Sequence, residues 1–236
     1  VYCAGNPVRL IDPDGKGWIQ TEAGIYYNPK VHSQRDISKH DSQRELRYIG
    51  ETYQDKKRGI SYRDDGSILF RNETDAYNHM WNNADNLWRT PKNKNGREVG
   101  GFILDNGNVL VLPDYNNDSR TTRIGKYGYK IDKKLLTKGN NFYNVIAQIH
   151  THQDKTGDPT PSYYATDGAY DGSLAQRMSI PVFVLGHDNN VYGIIQNEKN
   201  NSVFNLPAPF DTVNHFLKTK IKFSSYIRSN TWELKK

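Results

Sequence analysis

The chain has 236 residues and a net charge of +6, from 32 Lys and Arg against 26 Asp and Glu. Its single cysteine excludes an internal disulfide framework and a cysteine-based zinc site. Only 35% of the residues are hydrophobic, yet 12% are aromatic, which argues against disorder throughout and predicts one folded core. No apolar run approaches the roughly 18 residues of a membrane span and no signal peptide opens the chain, so we expect no membrane span.

Within residues 1–15, an Asn-Pro and an Asp-Pro-Asp-Gly turn signal bracket a short apolar stretch. This arrangement resembles the motif that closes the core of Rhs/YD-repeat proteins, large shells that carry variable toxin domains at their C-termini. The matching residues are Tyr2, Asn6, Pro7, Asp12, Pro13 and Gly15. The resemblance implies that residues 1–15 are the end of such a shell and that a toxin domain follows.

Residues 16–72 carry less signal. Alternation of apolar and polar residues predicts hairpins over 18–27 and 60–70, and residues 44–53 are typical of a short helix. The region has little to bury. We therefore predict an irregular extension with short hairpins, which links the shell to a domain at 73–236 or wraps around it.

The predicted domain begins with an amphipathic helix over 73–88, with Thr74 as its N-cap. Strands are then predicted at 100–104, 109–113, 127–131 and 145–150, a helix at 169–178, a hairpin from 181–185 and 191–196, and a terminal helix at 211–218. This order predicts an α+β fold in which a mixed β-sheet is flanked by helices.

The most informative stretch is 144–167, where an apolar strand runs directly into His150-Thr151-His152. Alternate residues of a strand face the same side, so the two imidazoles project together. A Gly/Pro loop then leads to a carboxylate. Two imidazoles and one carboxylate make a three-ligand zinc site with its fourth position open, which is the pattern of catalytic zinc.

A zinc hydrolase also needs a general base close to the metal. Glu98 stands at the mouth of the strand predicted over 100–104. The glycines that follow, Gly100 and Gly101, permit the close backbone approach that a tight site requires. Glu98 is therefore the candidate base.

The order of Glu98, His150-x-His152, Ser162 and a following Asp resembles the JAB/MPN metalloprotease family, over about residues 73–196. The resemblance implies a JAB/MPN, cytidine deaminase-like architecture. It also implies zinc held by the two histidines and Asp167, with Glu98 polarising the attacking water and Ser162 hydrogen-bonding the developing oxyanion. The loop after His152 is longer than is familiar in the family, so Asp171 is the alternative ligand.

The two resemblances agree, because a toxin branch of the JAB/MPN family occurs at the ends of Rhs-type proteins. Together they imply a secreted effector of interbacterial competition, a zinc-dependent peptidase or isopeptidase delivered to the target-cell cytoplasm. The implied partners are a protein substrate in the target cell, a cognate immunity protein and the Rhs shell of the parent chain.

Two alternatives stay open. A metal-dependent nuclease toxin is favoured by the net charge, but it predicts basic residues beside the histidines, and residues 144–176 contain only Lys155. We therefore do not expect nucleic acid as a partner. A non-catalytic binding module with a degenerate site predicts no bound metal, or a fold that holds Glu98 away from the histidines.

Overall fold

The computed structural model describes residues 16–22, 24–38, 46–87, 94–159, 162, 171–188, 191–197 and 200–205. Three predictions lie outside these residues: the end of the shell at 1–15, the terminal helix at 211–218 and the zinc ligand Asp167. In the described part of the chain, no helix is long and apolar enough to cross a membrane.

The first strands form a small antiparallel sheet. Strands β1 (Gly17–Gln20), β2 (Ile25–Asn28) and β3 (Arg47–Gly50) lie in the order β2-β1-β3, and helix α1 (Gln34–Ser38) connects β2 to β3. The hairpin predicted over 18–27 is confirmed. The helix predicted over 44–53 is wrong, because Tyr48 of β3 packs with the buried Ile19 and a half-buried sheet surface favours aromatic residues.

A second sheet dominates the molecule. Among the described residues it has eleven strands: β4 (Tyr53–Asp55), β5 (Ile60–Tyr62), β6 (Ile68–Phe70), β7 (Gly100–Leu104), β8 (Val109–Val111), β9 (Lys130–Asp132), β10 (Leu135–Lys138), β11 (Asn141–His152), β12 (Val182–Gly186), β13 (Val191–Asn197) and β14 (Asn200–Asn205). Along the sheet the order is β14-β13-β12-β11-β7-β8-β6-β5-β4, and β10 joins β9 to the first residues of β11.

Most of this sheet is antiparallel, but β11 and β12 are parallel. A parallel pair needs a crossover, and helix α3 (Asp171–Met178) lies in this connection. The predicted helix at 169–178 thus corresponds to α3. The third strand predicted at 127–131 is displaced, since Ile124–Tyr127 forms a 3₁₀ turn and β9 begins at Lys130.

Helix α2 (Glu73–Trp81) confirms the predicted helix and continues as a π-helical segment, Asn82–Leu87. Its N-cap is Asn72 and not Thr74, because the Asn72 side chain accepts hydrogen bonds from the N–H groups of Thr74 and Asp75. The capping group therefore lies two residues before the predicted one.

The two longer helices cover opposite faces of the sheet. Along β7, Ile103 packs in a cluster with Met80 of α2, whereas its neighbours Phe102 and Leu104 pack in another cluster with Met178 of α3. The observed fold is therefore the expected mixed α+β sheet with helices beside it.

The N-terminal region adds strands to the central sheet. Strands β5 and β6 confirm the hairpin predicted over 60–70, and β6 pairs with β8. Trp18 and Tyr27 belong to the same buried cluster as Ile103. The division of the chain into an extension at 16–72 and a domain at 73–236 stays a prediction, but the central sheet draws strands from both sides of that boundary.

A bulge in β11 positions the functional residues. The register with β7 shifts between Val145 and Ala147, and these two residues pack in different clusters although they lie two positions apart. A bulge re-aims the side chains that follow it. Ile149 therefore packs on the α2 side, and the alternate residues His150 and His152 face the side covered by α3.

Candidate metal centre

Three side chains meet at the C-terminal end of β11. The Nε2 atom of His150 lies 3.1 Å from Nε2 of His152 and 3.2 Å from Oδ1 of Asp171. The Nε2 atom of His152 lies 3.9 Å from Oδ2 of Asp171. Ligand atoms about 2.0–2.1 Å from a tetrahedral zinc lie roughly 3.3–3.4 Å apart. The spacing is close to that value, and the group could hold a metal ion.

The hydrogen bonds on the far side of each imidazole determine which nitrogen is free. His152 Nδ1 lies 3.1 Å from the carbonyl oxygen of Asp158, and a carbonyl can only accept, so Nδ1 carries the hydrogen. His150 Nδ1 lies 3.0 Å from Oε1 of Gln148. The orientation of that amide follows from its Nε2, which donates to the Ile149 carbonyl at 3.3 Å. In the neutral form, each histidine therefore presents the lone pair of Nε2 to the site.

Two lone pairs and a carboxylate thus converge on one point, and such a group needs a proton or a cation between its members. Burial lowers the pKa of His152 to about 4, and the neighbouring His150 lowers it further. Burial also lowers the pKa of His150, but Asp171 outweighs it and the net shift is upward. Burial raises the pKa of Asp171, but His150, His152 and a hydrogen bond from Ser162 hold it well below its usual range.

Glu98 reaches the same point from strand β7. Gly100 pairs with His150, and the Thr151 N–H donates to the Val99 carbonyl at 3.0 Å, which extends the pairing by one residue. Glu98 consequently lies opposite His152, and its Oε1 atom is 3.8 Å from Nε2 of that histidine. Burial is the main reason why the pKa of Glu98 rises to about 8.

The backbone of Glu98 is held by the loop after β8. The Glu98 N–H donates to the Asp118 carbonyl at 2.8 Å, and the Asn117 side-chain amide donates to the Glu98 carbonyl at 2.7 Å. The Asn117 Oδ1 atom in turn accepts hydrogen bonds from the Tyr127 hydroxyl and the Arg123 N–H. The carboxylate is therefore presented from a backbone fixed on both sides, as a catalytic group requires.

The two glycines after Glu98 are needed for close packing. A Cβ atom at Gly100 would lie 2.9 Å from Cγ2 of Thr122, and one at Gly101 would lie 2.8 Å from the Leu110 carbonyl oxygen. The prediction that these glycines permit close approach is confirmed. At Gly100 the close approach brings Thr122 into the lining of the cavity beside the histidines.

The carboxylate that the structure places beside the histidines is the alternative ligand, Asp171. It is the first residue of α3, and its Oδ2 atom accepts hydrogen bonds from the N–H of Ser162 at 2.8 Å and from its hydroxyl at 2.9 Å. Ser162 therefore orients the carboxylate and leaves Oδ1 towards His150. The hydroxyl that we predicted as an oxyanion donor is engaged with Asp171 in this structure.

A cavity of about 490 Å³ opens over this group. Its lining includes two features that we did not predict from the sequence: Gln148, and a basic segment at 120–126 that contributes Arg120, Arg123 and Lys126. The period of a strand could have revealed Gln148, since it lies two residues before His150 on the same face. No sequence signal places the basic segment, because only the fold brings this loop to β11.

Comparisons with known protein families, with curated proteins and with solved structures found no match to this chain. The chemistry of the site is therefore inferred from its residues and their geometry.

Proposed function

We propose that this chain is the toxin domain of an Rhs-type secreted effector, and that it is a zinc-dependent peptidase or isopeptidase of JAB/MPN type. The observation that carries the proposal is the convergence of His150, His152 and Asp171 in a buried group, with Glu98 beside it and a cavity above it. A mixed sheet with a helix on each face is compatible with the JAB/MPN architecture. The motif within residues 1–15 supports the setting in an Rhs shell.

The donor set fits zinc. Imidazole nitrogen and carboxylate oxygen are both common zinc ligands, and three protein ligands leave a position open for chemistry. The Gln148 and Asp158 oxygens orient the imidazoles in the way that outer-shell partners of metal-bound histidines do. A bound zinc ion would supply Lewis acidity that polarises the scissile carbonyl.

Glu98 is the proposed general base. It takes a proton from the attacking water and returns it to the leaving amine, which a carboxylate beside the metal ligands is placed to do. Its fixed backbone keeps the carboxylate in position without a cost of ordering at the moment of reaction. Ser162 holds Asp171, and its proposed donation to the oxyanion requires that its hydroxyl turn from Asp171 to the substrate.

One observation favours a second candidate, the metal-dependent nuclease. Three cationic side chains line the cavity, although none of them comes from the stretch 144–176 on which we first judged this alternative. Two of the three are paired with carboxylates, Arg120 with Asp154 and Arg123 with Asp118, which weakens their attraction for a phosphate backbone. The third alternative, a degenerate module, predicts that Glu98 lies away from the histidines, and the 3.8 Å separation does not favour it.

The test is Glu98→Gln, expressed in a susceptible bacterial cell. We expect this variant to keep its zinc, because Glu98 is not one of the three ligands, and to lose toxicity with a fall in rate of about 10²–10⁴-fold. Zinc content of the purified protein and growth of the expressing cells give the two readouts. Glu51→Gln, an exposed carboxylate outside the site, is the matched control. Undiminished killing by Glu98→Gln would remove Glu98 from the mechanism.

A further inference from the structure

The part of the cavity lining that lies outside the candidate metal centre is basic. The segment at 120–126 reads Arg-Thr-Thr-Arg-Ile-Gly-Lys, and every one of its residues lines the cavity. It carries Arg120, Arg123 and Lys126 and no carboxylate of its own. A group of negative charge entering the cavity would therefore meet cations on this side.

The two arginines are held in place by carboxylates next to the segment. Arg120 donates through Nε to Asp154 at 3.1 Å and through Nη2 to Thr156 at 3.4 Å. The Asp154 side chain is only 5% exposed, so the anchor is fixed. Arg123 donates through Nη2 to Asp118 at 2.7 Å. A guanidinium has five N–H donors, so these bonds leave further donors on each arginine for a ligand.

We propose that this basic wall, formed by Arg120, Arg123 and Lys126, binds a carboxylate of the substrate, so that the site selects peptides with an acidic side chain close to the scissile amide. The inference rests on the proposed peptidase function and adds the substrate class to it. Pre-positioned guanidinium groups bind carboxylates in well-defined geometry, which gives selectivity as well as attraction.

An acidic peptide fits these charges better than a nucleic acid does. A nucleic-acid strand presents a phosphate about every 3.4 Å and is best matched by an uninterrupted basic track. Here the cations alternate with carboxylates, and the Asp118 side chain is 47% exposed, so a continuous phosphate backbone would meet repulsion as well as attraction. A single carboxylate needs only one or two of the cations.

The experiment measures binding without turnover, with zinc-loaded Glu98→Gln as the protein. The probes are two fluorescein-labelled decapeptides of identical sequence, except that two glutamates in one are glutamines in the other, and the readout is fluorescence anisotropy. We expect the glutamate peptide to bind about tenfold more tightly, since hydrogen bonds to charged groups are the stronger ones. Lys126→Glu in the same background should abolish the preference. Lys130→Glu, an exposed lysine of β9 outside the cavity lining, should keep it.

Equal or undetectable binding of the two peptides would overturn the inference. So would tighter binding of a short oligothymidylate than of the glutamate peptide, if Lys126→Glu weakens it, because the basic wall would then serve a nucleic acid. The proposed function fails separately: wild-type protein that binds the glutamate peptide selectively but cleaves no peptide would remove the peptidase and leave the binding wall intact.

Discussion

Two regions of the molecule hold an imidazole whose pKa burial lowers to about 4, the candidate metal centre with His152 and helix α2 with His79. Burial is the main cause at both positions. By these measures the two residues look alike. The difference between them lies in what faces the free ring nitrogen.

At His79, the Nε2 atom lies 3.1 Å from the side-chain amide nitrogen of Asn83. That amide also points to the Ile25 carbonyl, so it is the nitrogen that faces the ring, and the lone pair of His79 has a donor. At His152, the corresponding lone pair faces a second imidazole and a carboxylate. The comparison teaches that burial and a lowered pKa do not identify a metal site, whereas several acceptors around one point do.

The largest effect that separates the two regions should come from Asp171→Asn. The substitution removes the charged ligand and leaves the shape, so zinc affinity should fall by more than about 100-fold, the upper end of what loss of an outer-shell partner costs. Competition with a chromophoric chelator measures it. Asp167→Asn is the matched variant and should bind zinc like the wild type. The reverse result would make Asp167 the ligand and contradict our assignment of Asp171.

A smaller effect is expected from Gln148→Leu. This change removes the oxygen that orients His150 through Nδ1, and loss of such a partner typically costs about 10–100-fold in metal affinity. Gln148→Glu should restore much of the affinity, because its carboxylate can accept the same hydrogen bond. If both variants bind zinc as the wild type does, Gln148 has no part in positioning the ligand.

The smallest effect concerns His79→Gln, which should leave zinc binding unchanged and alter only stability. The pKa of His79 is about 4 in the folded protein and about 6.5 unfolded, so between these values the unfolded chain binds more protons. His79 therefore contributes stability above pH 6.5 that is lost as the pH falls towards 4. Between pH 7 and 5, urea unfolding should show that the wild type loses more stability than His79→Gln, by on the order of 1 kcal/mol. An equal loss in both proteins would contradict the lowered pKa.

Much of the fold was predictable where sequence periods are clear. The hairpin at 60–70, helix α2 and strands β7, β11 and β12 follow from alternating or helical patterns and from turn residues. Strand β3 was missed because its short stretch has no clear period, and its burial comes from contacts with α1 and β1. Strands β10 and β14 were also missed, since each depends on a longer neighbour for its pairing.

The site shows the same division between local and long-range information. The pair of histidines could be predicted, because alternation along one strand is local. Glu98 was predicted from its place at the start of β7, and the structure adds that cross-strand pairing brings it to His152. The choice between Asp167 and Asp171 could not be made, since it depends on where α3 begins after a long loop. The basic wall was missed because its contact with β11 spans a large separation in sequence.

The most direct test of the account is the metal content of the purified protein, measured by mass spectrometry after dialysis, for the wild type and for His150→Ala combined with His152→Ala. His79→Gln is the control that removes an imidazole from the other region. We predict about one zinc ion per chain in the wild type and in His79→Gln, and almost none in the double variant, because one carboxylate alone does not hold zinc. Equal zinc content in the wild type and the double variant would contradict the metal centre.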